Sequence, residues 1–247
     1  MTELKRPFKW GRGPARLEFG AIVMDEVTPY VVESDEARVF ALAGVRDPDD
    51  AVVFAEQYGM LHSGPRDARP LGERFFEWQQ VAAQMTETIS LVIELRRSQN
   101  GDASAKGLLR RYYDTVVARS SFYGPLPDGA DVPLGDIADL IALEVNGYRI
   151  GVASVLVATE TNGSYSWRFV IGANNLLGSI YQDLAELLVS GREMRLCVEC
   201  GRPFLLTDPR RLFHNEGCAY RARRRRMLER KRERESGGAV DAGTARL

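Results

Sequence analysis

Between Leu71 and Arg97 the apolar positions Phe75, Trp78, Ala82, Met85, Ile89 and Val92 recur at steps of three and four. That spacing is one face of a long amphipathic helix. Arg96 and Arg97 suit its negative C-terminal end, and Asn100-Gly101 terminates it. The same period predicts further helices. One covers about Ala105 to Ala118, with Leu108, Leu109, Tyr112 and Val116 inward. A second has Asp136 as its cap, with Ile137, Leu140, Ile141 and Val145 inward, and stops near Asn146-Gly147. A third spans Asn174 to Leu188, with Leu176, Leu177, Ile180, Leu184 and Leu187 buried. Asp47-Pro48-Asp49-Asp50 reads as the start of another, ahead of Val52, Val53, Phe54, Tyr58 and Met60.

Period-two or short apolar runs are fewer. Leu17 to Val23 and Arg38 to Val45 suit short strands. Tyr148 to Thr159 and Ser164 to Ile171 flank Asn162-Gly163. Two β-branched runs around Asn-Gly predict a hairpin, because both central turn positions require φ > 0. Residues 61–70 and 120–133 read as Gly/Pro-rich connections. Trp78, Trp167, Tyr112 and Tyr113 fall in apolar patterns and are expected in the core; His62 is expected as an exposed loop residue. The pattern as a whole is α+β and predominantly α: a helical main domain with short strands and one hairpin over residues 1–190.

Composition adds little for this main domain and much for the C-terminal segment beyond it. The chain has 247 residues, 45% hydrophobic and 27% charged, as in soluble globular proteins. The stretch from Met1 to Arg16 is basic and broken by Pro7, Gly11 and Pro14, unlike a secretory leader. The longest apolar stretch, Ile137 to Thr159, is interrupted by Glu144, Asn146, Gly147 and Arg149, so no span of about 18 apolar residues crosses a bilayer. A cytoplasmic protein with no membrane partner is expected. The net charge of −1 hides an asymmetry. Residues 192–235 hold 14 Lys and Arg against seven Asp and Glu, a net +7, which leaves −8 for residues 1–191. An acidic body with a basic end directs any polyanion to the end.

All three cysteines and one of the two histidines lie in this basic region, as Cys197-Val-Glu-Cys200, His214 and Cys218. Thiolate and imidazole are zinc's preferred ligands, and in a reducing compartment such a cluster is metal-binding rather than disulfide-bonded. Two intervening residues let one tight turn aim Cys197 and Cys200 at a common point, with Gly201 next to them. Phe204-Leu205-Leu206 and Leu212-Phe213 are expected to pair as a hairpin that returns the chain. His214 and Cys218, four apart, are expected on one face of an opening helix. Knuckle, hairpin and helix make a small treble-clef zinc finger over residues 191–235. Four protein ligands would fill zinc's tetrahedron, making the site structural with no place for a reactive water; the alternative is that His214 packs against its neighbours and leaves a three-cysteine site with a water.

The helix continues as Tyr220-Arg-Ala-Arg-Arg-Arg-Arg-Met-Leu-Glu-Arg-Lys-Arg-Glu-Arg-Glu235. Tyr220, Met227 and Leu228 are expected to pack inward. Arg221, Arg223, Arg224, Arg225, Arg226, Arg230 and Arg232 offer guanidinium forks that match phosphate. Ser236 to Leu247 is Gly/Ala-rich and expected as a disordered tail.

Cys-x2-Cys-Gly-x2-Phe, a gap, Phe-His-x3-Cys and an Arg-rich helix, preceded by an apolar helix ending in Ser-Gly-Arg, resemble bacterial CGNR-type zinc-finger proteins. The name-giving Cys-Gly-Asn-Arg stands here as Cys218-Ala219-Tyr220-Arg221, and His214 stands where a cysteine is usual. The likeness is strongest over residues 191–226. It implies a helical, stress-regulator-like N-terminal domain, a zinc finger assigned to DNA binding, Cys197, Cys200, His214 and Cys218 as ligands, and Arg221 as a functional position.

The expected function is therefore zinc-dependent nucleic-acid binding, DNA before RNA, by a transcriptional regulator whose residues 1–190 sense a signal or form a homodimer. The alternative is an RNA-associated or protein-interaction module in which the zinc finger is purely structural. No catalytic activity is expected. A nuclease would need a histidine free to act as base, the acidic Asp47, Asp49 and Asp50 belong to a helix start, and no phosphate-binding glycine loop or nucleophile motif is present.

Overall fold

The computed structural model describes residues 8–32, 35–62, 71–115, 126–127, 129–148, 152–161, 164–173 and 175–237. It is a mixed α+β chain, mostly helical, and divides into two units, Met1–Glu193 and Met194–Leu247.

The first unit is organised around its long helix. Strands β1 (Phe8–Arg12), β2 (Ala15–Glu18), β3 (Ala21–Met24) and β4 (Thr28–Val32) open the chain, before helices α1 (Glu36–Ala43) and α2 (Pro48–Tyr58). Strand β5 (Leu71–Arg74) leads directly into α3 (Phe75–Gln99), and α4 (Ala103–Thr115), α5 (Leu134–Tyr148), β6 (Val152–Thr161), β7 (Ser164–Ala173) and α6 (Leu176–Val189) complete the unit. β1 pairs with β4, and β2-β3-β5 form a three-stranded antiparallel sheet. Helix α3 packs on α1, α4 and α5, while α6 packs on α1 and α5. Trp78, Met85 and Ile89 of α3 are fully buried, with Leu109, Ile137 and Leu176 from its neighbours. Of the inward sets that the 3.6-residue period marked out, Ile137, Ile141 and Val145 of α5 are buried with Leu140 half-buried, and all five positions of α6 are buried together with Tyr181 and Asp183. In α4 Leu109 is buried, but Leu108 is exposed and Tyr113 and Ala105 take the inward side. Asn175 caps α6 by accepting from the Gly178 amide, and Asp47 caps α2 by accepting from Asp50.

Several elements differ from the sequence pattern. Arg38–Val45 is not a strand. Asp35 caps a helix there, and Arg38, Val39, Leu42 and Ala43 are buried at helical spacing. The apolar run had hidden a helix because it is buried on nearly every side. Leu17–Val23 is two strands, since Phe19-Gly20 makes a left-handed turn that separates β2 from β3. The first four residues of the expected long helix extend the sheet as β5 before Phe75, whose amide donates to the Gly20 carbonyl. Helix α5 begins at Leu134, so Asp136 sits in its first turn rather than at its cap. Strand β1, in a segment rich in Gly and Pro, was not legible. It is anchored by Trp10, whose indole donates to the Met60 carbonyl at 2.7 Å. Gly59 explains that approach: at φ +96° a Cβ would lie 2.1 Å from the Gly11 carbonyl oxygen. The hairpin is present as β6 paired with β7, but its Asn162-Gly163 turn and the Trp167 side chain lie outside the described residues, as do Val116, residues 63–70, 120–125 and 128, and the tail from 238.

One buried ion pair stands out. Arg38 of α1 and Asp183 of α6 meet at 2.6 Å, each side chain 3% exposed. Burying such a pair costs desolvation that offsets its attraction, so its net contribution is small, while removing one partner would strand a buried charge. Among the described residues no helix is long and apolar enough to cross a membrane.

Candidate metal centre

Strand β8 (Met194–Leu196) pairs antiparallel with β9 (Pro203–Leu205), Met194 opposite Leu205 and Leu196 opposite Pro203. The turn between them is the Cys-x2-Cys knuckle. Gly201 at φ +70° closes it, its amide donating to the Cys197 carbonyl at 2.8 Å, while the Cys197 amide donates to the Arg202 carbonyl at 2.9 Å. The expected pairing of residues 204–206 with 212–213 is thus replaced. The strand partner lies before the knuckle, and Leu212 instead accepts from the Val198 amide at 3.2 Å. The knuckle's own backbone hydrogen bonds, Gly201 to Cys197 and Cys197 to Arg202, set this pairing.

His214 sits in a bend, not on the helix. Helix α7 (Glu216–Gly237) starts two residues later, capped by Asn215, whose Oδ1 accepts from the Cys218 amide at 2.9 Å. Cys218 is therefore in the first helical turn and His214 just ahead of it. Arg211 holds the His214 segment. Its guanidinium lies 5.2 Å from the centre of the Phe204 ring, donates to the Phe213 carbonyl at 3.0 Å and also bonds the His214 carbonyl.

These elements bring Cys197, Cys200, His214 and Cys218 together, with one donor atom from each within 4.8 Å of every other. A zinc tetrahedron with Zn–S of about 2.3 Å has edges of about 3.8 Å, so little contraction closes the set on an ion. His214 Nδ1 is 3.4 Å from Cys200 Sγ. Cys197 and Cys218 are buried with Phe204, and Cys200, Leu206 and Phe213 pack around them. The thiol chemistry fits a cation. Burial raises the Cys197 thiol, but hydrogen bonds from His214 and from the amides of the knuckle outweigh it and leave it at about 6. Burial, Cys200 and Cys197 push Cys218 up to about 11. Thiols crowded around one point cannot all ionise alone; a dication converts their mutual repulsion into attraction. The four residues sit close enough to hold one metal ion, and three soft sulfurs with one imidazole are compatible with zinc.

The second layer of contacts was not legible from spacing. Arg221 donates to Cys218 Sγ at 2.8 Å. Three thiolates and a neutral imidazole around Zn²⁺ would carry one net negative charge, which Arg221 offsets. Arg225 pairs with Glu199, inside the knuckle, at 2.9 Å. Asn215 contacts His214 Nε2 through Nδ2 at 2.8 Å. An Asn preceding an acidic first turn was the available signal for this cap.

The remaining arginines face away. Arg223 and Arg226 reach back to the Ala219 and Ala222 carbonyls of their own helix, at 3.3 and 3.4 Å. Arg224, Arg230 and Arg232 have no partner among the described residues, and all five are exposed. Tyr220, Met227 and Leu228, expected inward, are exposed at 62, 68 and 45%. The buried side of α7 is taken by Cys218 and Ala222, and on a 3.6-residue period the three apolar residues fall elsewhere.

Comparison with family models, with curated proteins and with solved structures finds no match.

Proposed function

We propose that the chain is a zinc-binding, nucleic-acid-binding protein, a DNA-binding transcriptional regulator of the kind its CGNR-like residues suggest. The observation that carries this reading is the division of labour along α7. Arg221 and Arg225 turn toward the metal module. Arg223, Arg224, Arg226, Arg230 and Arg232 stay exposed on the helix that the module anchors. Zinc would hold Cys197, Cys200, His214 and Cys218 together and supply the energy that orders the segment. The helix would then present a pre-arranged set of guanidinium groups to phosphates. The metal has no catalytic role in this reading, because all four positions are taken by protein ligands. Asn and Gln, the residues that read adenine, are scarce on α7, so affinity exceeds sequence specificity.

The test is a salt titration of DNA binding by the full zinc-loaded chain, read by fluorescence anisotropy. Binding should fall steeply with salt, with a log–log slope of about −0.9 per phosphate contacted. Changing Arg224 and Arg230 together to Gln should reduce that slope by about 2. Absent or salt-independent binding refutes the reading, and a parallel titration with duplex RNA ranks the two nucleic acids.

A second reading is a protein-interaction module in which the zinc finger is purely structural. The exposed Tyr220, Met227 and Leu228 favour it, since aromatic residues and Met are enriched at protein interfaces. Under that reading the Arg224 and Arg230 substitutions leave DNA binding unchanged, while Tyr220→Ala and Met227→Ala abolish association with the partner.

A further inference from the structure

Helix α4, the C-terminal end of α3 and the segment running into α5 enclose a pocket of about 440 Å³ in the first unit. That lies within the roughly 300–1,000 Å³ range of small-molecule sites. Its construction is specific. Arg110 of α4 is paired with Asp114 at 3.0 Å and donates to the carbonyls of Leu126, Pro127 and Ala130 at 3.2, 3.3 and 2.9 Å. One guanidinium thus folds the segment before α5 back against α4 and makes a wall, to which Val132 and Leu134 contribute apolar surface.

Two features of the lining are not required by packing. Gly107 lies inside α4, where glycine is less favourable than alanine. No atom stands within 4 Å of where its Cβ would be, so packing does not require it. Its missing side chain leaves the pocket open. Lys106, in the first turn of α4, lines the same pocket without an ion-pair partner among the described residues.

We infer that this pocket binds a small amphipathic anion, an aromatic or acyl body against Val132 and Leu134 with its acidic group at Lys106. Arg110 contributes no free charge, being matched by Asp114. Asp131, exposed on the lining, carries the opposite sign and limits the ligand to a single anionic group placed at Lys106. The binding does not depend on the nucleic-acid reading of α7.

The probe is 1-anilinonaphthalene-8-sulfonate, titrated into the full-length protein with direct excitation of the dye. Saturable binding at one site is expected. Gly107→Phe should abolish it while leaving the thermal midpoint equal or higher, because the new side chain meets open space and replaces a helical glycine. Lys106→Ala should weaken the sulfonate about tenfold, the scale of one charge-assisted contact. The same variant should leave N-phenyl-1-naphthylamine, the same body without the sulfonate, within about twofold. Asp131→Asn should bind the sulfonate as well or better. Unchanged dye binding in Gly107→Phe overturns the site. Equal effects of Lys106→Ala on both dyes, or weaker binding in Asp131→Asn, overturn the anionic class.

Discussion

The two units of this protein solve the same problem with different materials. In the first, Trp78, Tyr181, Met85, Leu109 and Ile137 are fully buried among many other apolar side chains. In the second, the buried cluster is Cys197, Phe204 and Cys218, with Cys200, Leu206 and Phe213 partly covered. Half of those six residues are candidate metal ligands. Apolar burial contributes about 25 cal/mol per Å², so a unit this small gains little from it. The interior of the first unit is built mostly from apolar side chains, whereas half of the second's is candidate ligands. Metal loading is therefore expected to couple to folding in residues 194–237 and not in residues 1–193.

The largest expected effect tests that contrast directly. Chelating the metal from the zinc-loaded protein should remove on the order of 10 kcal/mol from the second unit and nothing from the first. Limited proteolysis should then cut between residues 194 and 237 while the remainder stays protected. Uniform protection, or uniform loss, would show that the units do not differ as described. The converse perturbation is Trp78→Ala, which should lower the unfolding free energy of the first unit by about 3–5 kcal/mol and leave metal content unchanged. Denaturant titration monitored alongside metal release reads both quantities.

A smaller effect concerns the shell around the ligands. Asn215 Oδ1 is committed to the Cys218 amide, and only its Nδ2 faces His214 Nε2. An imidazole bound through Nδ1 carries its proton on Nε2 and asks for an acceptor there. Asn215→Asp has an oxygen for each task and should tighten zinc binding about tenfold, whereas Asn215→Ala, which loses both contacts, should weaken it by at least as much. Competition against a chromophoric chelator measures both. The smallest expected effect lies in the first unit. The Glu73 carboxylate raises the pKa of His62 through a hydrogen bond and its charge. The protonated imidazole is favoured in the folded state. Its contribution is complete below about pH 6.5 and is lost as pH rises through the raised value. His62 is 45% exposed, so solvent screening holds it to about 0.5 kcal/mol. His62→Ala should flatten the stability profile across that window; an unchanged slope would assign the Glu73 contact no energetic weight.

How far the sequence could be read obeys the same division. The inward positions of α3, α5 and α6 were legible because each helix has one wet side, and the 3.6-residue period survives only where polar residues interrupt it. Helix α1 was misread as a strand for the complementary reason. It is buried by α3 and α6, and even its Arg38 is inside, paired with Asp183. The candidate ligands stood out because coordination needs particular elements at particular spacings, and the structure brings the four together. The hairpin around them was misassigned because β9 has an apolar run on either side of it, and the backbone bonds inside the knuckle, which no period records, join it to Met194–Leu196.

The sequence by itself determined the candidate ligand set, the basic helix and the predominantly helical class, since each rests on residue identity and local period. Only the tertiary structure decided which arginines are spent inside the module and which face water. Arg221 and Arg226 look alike along the chain, yet one lies against Cys218 Sγ and the other against its own helix. Their difference is angular position around α7 relative to a metal cluster assembled from three separate segments. The pocket beneath Gly107 is of the same kind. It exists because Arg110 gathers carbonyls 16 to 20 residues away, a contact that no local pattern records.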